Sequence, residues 1–359
     1  MNYLLLPLAW IYDGVTSVRN FMYNHGILIS ESYDLPVICV GNLTVGGTGK
    51  TPHTEYLIRL LQREGYKVAV LSRGYKRKTK GYVVATEGVT AHDIGDEPYQ
   101  MKQKFPEVTI AVDANRREGI CNLMTNAETR DVDVIILDDA FQHRSVKAGM
   151  NILLVDSNRP IDKDYLMPVG RLRENASGLK RADVVIVTKL QEAMDETALK
   201  HYQERLSIHV CQQLYFTRFH YGDLYQDEDT IPLGQLNQYH VLMVTGIADA
   251  TPMKKKLEEY TDVTSIQFGD HHAFSQQDYA HIEAVFHQLP SDKPCLVVTT
   301  EKDRARMDVS QLTIKHQIYT LPIQVEVLQQ AETIFNQQIL DYVRKNSRNS
   351  SVPQGANDK

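Results

Sequence analysis

Gly41-Asn42-Leu43-Thr44-Val45-Gly46-Gly47-Thr48-Gly49-Lys50-Thr51 follows an apolar run at 37–40 and precedes Pro52, which the pattern places in the first turn of a helix. A glycine-rich turn between a strand and a helix lets backbone N–H groups surround phosphate oxygens, and the helix N-terminus adds its partial positive charge. The reading gives Thr44, Val45, Gly46, Gly47, Thr48 and Gly49 to the phosphate cradle, Lys50 to the β and γ phosphates and the Thr51 hydroxyl to magnesium. The usual pattern begins with Gly five places before its second Gly, and here Thr44 stands there. Gly46 and Gly47 supply the flexibility, so this is a variant of the loop.

Such a site needs acids at the end of a second apolar strand, where a carboxylate can hold magnesium or its waters. Val134-Ile135-Ile136-Leu137-Asp138-Asp139 meets that demand, and Phe141-Gln142-His143 follows it. In Gly95-Asp96-Glu97-Pro98, Asp96 reads equally as a helix cap and as a base for a hydroxyl acceptor, with Glu97 assisting at the metal. Cations suited to phosphate stand at Arg73 within the basic stretch 73–80, at Arg116 and Arg117, and at Arg171 and Arg173 in the segment 168–174. Phe268-Gly269-Asp270-His271-His272 follows a later strand; with no companion metal ligand at helical spacing, it suggests proton handling rather than metal.

The 359 residues argue for two domains. Apolar residues at 42% and charged residues at 23% are those of a globular protein, and a net charge of −6 gives no reason to expect a nucleic-acid partner. Cys39, Cys121, Cys211 and Cys295 form no CxxC pair and no disulfide frame. From residue 36 apolar runs at 37–40, 68–71, 108–112, 134–137, 152–155 and 184–187 alternate with helical segments near 51–64, 97–105 and 115–125, the signature of a mostly parallel sheet. Alternation restarts at 240 and ends in a helix near 327–343. The expected organisation is an α/β P-loop domain at 31–205, a connection at 206–235, a smaller α/β domain at 236–345 and a disordered polar tail at 346–359. Residues 1–30 are apolar and aromatic but are interrupted by Asp13, too early for a spanning helix. They read equally as a helix packed on the first domain and as one lying flat in a membrane interface.

Together the motifs resemble the tetraacyldisaccharide 4'-kinase family of lipid A biosynthesis. The matching segments are 40–52, Ser72-Arg73-Gly74-Tyr75, 95–98, Asp138-Asp139 with Gln142-His143, 168–174, Thr245-Gly246-Ile247-Ala248 and 270–272, in family order. The loop with Thr44 is typical of that family. The resemblance implies transfer of the γ-phosphoryl of ATP, with Mg2+, to the 4'-hydroxyl of an acylated glucosamine disaccharide 1-phosphate. It also implies a two-domain α/β enzyme with its active site in a cleft, peripheral on the cytoplasmic face of the inner membrane and with no protein partner. Carried over by position, Lys50 and Thr51 hold nucleotide and metal, and Glu97, Asp138 and Asp139 form the metal and phosphate environment. Asp96 looks like the base and His271 its partner, with His272 the weaker choice. Arg73, Arg116, Arg117, Gln142, His143, Arg171 and Asp270 remain substrate or phosphate candidates. The N-terminal segment shifts toward a membrane-interface helix.

Two other classes compete. A P-loop regulatory GTPase or ATPase would want Asn/Thr-Lys-x-Asp after a late strand; Thr188-Lys189-Leu190-Gln191 and Thr300-Glu301-Lys302-Asp303 both lack the acid at that place. A soluble ATP-dependent synthetase has no use for the apolar N-terminus or the basic stretch.

Overall fold

The computed structural model describes residues 3–190, 194–270 and 272–347. His271 and the polar tail beyond Ser347 lie outside the described residues. Along the chain come α1 (Leu6–Asn24), β1 (Val37–Asn42), α2 (Lys50–Arg63), β2 (Val68–Ser72), β3 (Val83–Val84), α3 (Ala91–Ile94), α4 (Asp96–Lys104), β4 (Thr109–Val112), α5 (Arg116–Thr125), β5 (Val134–Asp138), β6 (Met150–Asp156), β7 (Val184–Thr188), α6 (Glu196–Arg205) and β8 (Gln213–Tyr221). There follow β9 (Leu224–Gln226), β10 (Asp229–Ile231), β11 (His240–Thr245), α7 (Thr251–Glu258), β12 (Val263–Gln267), α8 (Gln276–Phe286), β13 (Cys295–Thr300), α9 (Glu301–Arg304), β14 (Ile318–Leu321), β15 (Ile323–Val327) and α10 (Glu332–Asn346).

The chain divides into two compact units, one of Met1–Gly88, Phe105–Phe219 and Val325–Lys359, the other of Val89–Lys104 and His220–Gln324. In the first unit the strand order is β15-β8-β7-β6-β1-β5-β2-β4-β3. β1 pairs in parallel with β5 on one side and β6 on the other. Strands covered on both faces must be apolar throughout, which is why β1, β2, β5 and β7 read as unbroken buried runs rather than alternating ones. Neighbours lie on opposite sides of β1, so the chain order reverses there, and the loop leaving β1 opens into the crevice at the carboxyl ends of the strands.

The second unit has its own sheet, β10-β9-β14-β13-β11-β12, with apolar clusters around Leu236, Met253 and Leu257 and around Tyr279, Ile282 and Leu312.

Three boundaries differ from the sequence expectation. Residues 206–235 are not a bare connection: β8 joins the first sheet and the β9–β10 pair joins the second. Helix α4 belongs to the second unit although it lies between strands of the first, and α10 belongs to the first. The Tyr342 hydroxyl of α10 donates to the Val37 carbonyl at 3.0 Å, at the start of the loop-bearing strand. Each misplacement follows from a long-range contact, which local periodicity does not encode.

Candidate active site

The loop between β1 and α2 is braced from three sides. Gly46 and Gly49 have φ of 106° and 91°, a left-handed backbone that favours glycine. A Cβ at Gly49 would also collide with the Phe219 ring. Asn42 Nδ2 donates to Thr48 Oγ1 at 2.7 Å, and Thr188 Oγ1 at the end of β7 donates to the Thr48 carbonyl at 2.9 Å. Val45 N–H donates to the Arg171 carbonyl at 2.8 Å and Arg173 N–H to the Leu43 carbonyl at 2.7 Å, with Thr44 bridged antiparallel to Leu172. That bridge accounts for Thr44: the loop's first position is extended strand, where a side chain is welcome and glycine has no advantage.

Asp138 ends β5 and lies in register with Val40 of β1. It is 1% exposed and accepts from Thr54 Oγ1 at 3.4 Å and Ser72 Oγ at 3.3 Å. Asp139, with φ 48°, turns the other way and meets Arg173 Nη1 at 2.8 Å and Lys50 Nζ at 3.7 Å. Burial works against the Asp139 charge, but Lys50 and Arg173 outweigh it and hold the carboxyl below its ordinary value. Gln142 Nε2 donates to the Asn42 carbonyl at 2.8 Å and to Glu174 Oε1 at 3.0 Å. Burial, together with the charges of Arg116 and Arg73, pushes His143 down to about 4, so its ring is neutral at neutral pH.

Among the candidate arginines, Arg73 and Arg171 are exposed. Arg117 pairs with Glu31 at 2.5 Å on the surface. Arg116 faces inward at 1% exposure, donating to the carbonyls of Asp113 and, at 3.2 Å, Asp138. In this arrangement its guanidinium braces the chain at Asp138, a structural use that its place at a helix start did not suggest.

Helix α1 meets this region with its polar side. The Tyr12 hydroxyl donates to the Arg173 carbonyl at 2.7 Å, Asn20 Nδ2 to Glu174 Oε2 at 3.0 Å, and Arg144 to the Asn20 carbonyl and Asn24 Oδ1. Glu174 is 1% exposed and also accepts from Arg181 at 2.8 Å. The other side shows Leu8, Ile11, Val15 and Val18, with Trp10 and Phe21 beside them, all more than half exposed. No helix among the described residues is long and apolar enough to cross a membrane.

In the second unit Asp96 is the first residue of α4, after Gly95 at φ 93°. Its Oδ2 accepts from Arg306 Nε and lies 2.8 Å from Arg306 Nη2. Asp270 lies 3.6 Å from Lys302. His272 is held to Asp278 Oδ2 at 3.0 Å and stacks on Phe268 at 4.5 Å, which ties it to the start of α8. Glu97 is half-buried in the first turn of α4. No group of three His, Cys, Asp or Glu able to hold a metal alone occurs among the described residues.

Sequence reading passed over four participants. His53 is buried, contacts the Gly49 carbonyl at 2.7 Å and Thr217 Oγ1 at 3.1 Å, and is pushed down to about 4 by burial. Thr188, Glu174 and Arg306 were likewise unassigned. Two carried a signal: Glu174 closes the matching segment 168–174, and Arg306 lies in the charge density of Glu301-Lys302-Asp303-Arg304-Ala305-Arg306 at a strand end.

A glycine loop at the switch point of a parallel sheet, with a lysine at its exit and acids on the adjacent strand, defines a P-loop nucleotide-binding fold. The chain belongs to the tetraacyldisaccharide-1-P 4'-kinase family (LpxK), which matches residues 1–344. It is 48% identical to the tetraacyldisaccharide 4'-kinase of Bacteroides thetaiotaomicron over 98% of this chain and 96% of that protein. To the enzyme of the same name in Flavobacterium johnsoniae it is 42% identical over 96% of this chain and 97% of that one. The structure of LpxK from Aquifex aeolicus in complex with ATP is similar with a TM-score of 0.73 at 28% identity, covering 94% of this chain and 98% of that chain.

Proposed function

We infer that the protein transfers the γ-phosphoryl of ATP to the 4'-hydroxyl of a tetraacylated glucosamine disaccharide 1-phosphate, a step of lipid A biosynthesis. The observation that carries the reading is Lys50 at the loop exit, 3.7 Å from an Asp139 that Arg173 holds on its other side. The lysine is thereby placed for phosphate before nucleotide arrives, and such preorganised charge is what phosphoryl transfer needs. The N–H groups of Val45 and Thr48 are used within the protein, so those of Gly46, Gly47, Gly49 and Lys50 are the phosphate donors in this reading. Thr51 and Asp138 would hold Mg2+, since their hydroxyl and carboxylate are the hard oxygen ligands that suit it. The ion supplies charge neutralisation when bound. Asp139 then serves Lys50 and Arg173, while Glu97 stays a supporting acid. Asp96 accepts the proton of the 4'-hydroxyl as its oxygen bonds the γ-phosphorus and the bond from that phosphorus to the β–γ bridging oxygen breaks, ADP leaving with the electron pair; the proposed partner of Asp96 is His271. Arg73, Arg171, Gln142 and His143 are the contacts for substrate.

The exposed apolar side of α1 supports a second element, attachment to a membrane surface without spanning it. Its other side bonds to protein through Tyr12 and Asn20, so the outward side presents its hydrocarbon to acyl chains or lipid.

The test incubates the enzyme and Mg2+ with γ-labelled ATP and the acylated disaccharide 1-phosphate. Label entering the lipid at the 4' position is expected. Label appearing only as inorganic phosphate, unaffected by the lipid, would favour the regulatory ATPase.

A further inference from the structure

The segment Thr300-Glu301-Lys302-Asp303, which lacks the acid of Asn/Thr-Lys-x-Asp at its required place, lies at the C-terminal end of β13 and runs into α9. Within the second unit its charged side chains hold the elements that carry the proposed base. Glu301 pairs with Lys104 at the far end of α4 and accepts from the Tyr225 hydroxyl at 3.2 Å. Lys302 meets Asp270 at 3.6 Å, next to His271 in the chain. Arg306, two residues past α9, grips Asp96 at the near end of α4.

Arg306 is itself fixed. Its side chain is 6% exposed and Nη1 lies 3.5 Å from Asp303 Oδ1 and 3.3 Å from the Gly246 carbonyl. Asp303 is fully buried, and its Oδ2 accepts from Gly246 N–H at 2.9 Å and Thr300 Oγ1 at 2.7 Å. A buried charge persists only where partners compensate it, and Arg306 lies between two carboxylates, one deep and one toward the surface. A long, flexible side chain is thereby held in one geometry, which a solvent-exposed ion pair does not achieve.

We propose that Arg306, backed by Asp303, is a positioning residue for the kinase reaction: it sets where the Asp96 carboxylate stands, while Glu301 sets the direction of α4 through Lys104. This rests on the assignment of Asp96 as the base. A carboxylate displaced by about 1 Å can lose on the order of a hundredfold in rate, so the segment acts on turnover while leaving ATP binding to the loop of the first unit.

The experiment compares kcat, KM for ATP and thermal midpoint in Asp96→Ala, Arg306→Ala, Arg306→Lys, Glu301→Gln and the Asp96→Ala/Arg306→Ala double variant. Arg306→Ala is expected to lower kcat about tenfold to a hundredfold with KM for ATP unchanged. Arg306→Lys is expected to recover part of the loss, because a cation remains beside Asp96. The double variant should be no slower than Asp96→Ala alone, as for groups sharing one task. An Arg306→Ala kcat near that of the parent, or a loss that adds fully to that of Asp96→Ala, overturns the proposal. Near-normal turnover by Asp96→Ala would instead overturn the base assignment itself. Should Arg306→Ala fail to fold, Arg306→Lys and Glu301→Gln decide: reduced kcat at constant KM in both supports the positioning role, and unchanged kcat in both ends it.

Discussion

Helix α2 hides its apolar residues and helix α1 shows them, although both belong to the same unit. In α2 the side chains of Leu57, Ile58 and Leu61 are buried, with His53, Thr54 and Glu55 buried in the turns near the loop. In α1 the buried residues are Ala9 and Thr16, while Leu8, Ile11, Val15 and Val18 point outward. The difference lies in what each helix faces. α2 covers apolar strands, so its apolar stripe goes in. α1 faces half-buried Arg144 and Arg173 and buried Glu174, whose polar groups bond to it, so Tyr12 and Asn20 go in and the hydrocarbon is left out. An amphipathic pattern therefore specifies two faces without saying which is the inner one.

The sharpest contrast is expected at the first residue of α2. Lys50→Ala should lower kinase turnover by on the order of 10² to 10³, while the thermal midpoint stays close to that of the parent. Retention of turnover by that variant would remove the loop from the mechanism. Next in size is the core side of the same helix: Leu57→Ala should cost about 2–5 kcal/mol of unfolding free energy by lost burial and cavity, measured by denaturant titration. A loss under about 1 kcal/mol would mean that α2 is not packed as described.

Acid sensitivity comes third. His53 is buried and stays neutral in the folded protein down to about 4, whereas the unfolded chain takes up a proton near 6.5. Between those values the unfolded state binds more protons, so stability falls as pH falls, by up to about 1.4 kcal/mol per pH unit. His143, depressed to about 4 as well, has the same sign. Denaturant titrations between pH 4.5 and 7 should show a shallower slope for His53→Gln than for the parent; parallel slopes would contradict the neutral buried ring.

The smallest change in stability is expected on the outward side of α1. Val15→Ser should stay within about 0.5 kcal/mol of the parent, because that side chain is 65% exposed. Combined with Trp10→Ser and Val18→Ser it should nonetheless reduce flotation with anionic liposomes. Unchanged flotation with a clear drop in stability would make α1 a helix packed on protein after all.

The parts legible in sequence share one property, contiguity. Gly46 to Thr51 is a loop because glycines, a preceding apolar run and a following helix are all within a few residues, and Asp138-Asp139 marks a strand end for the same reason. Those short-range signals also carry the parallel α/β architecture and the family. Contacts between distant parts of the chain were not legible. Asp96 and Arg306 are 210 positions apart, and Glu174 reaches Asn20 across 154. The sequence by itself determined which residues are able to bind phosphate, since backbone conformation and residue chemistry are local. Only the tertiary structure decided that Arg116 turns inward, that α4 joins the second unit, that Arg306 holds Asp96 and that α1 wears its apolar side outward. Those outcomes depend on which buried polar groups still need a partner once the strands have packed, and that demand arises only in the assembled fold.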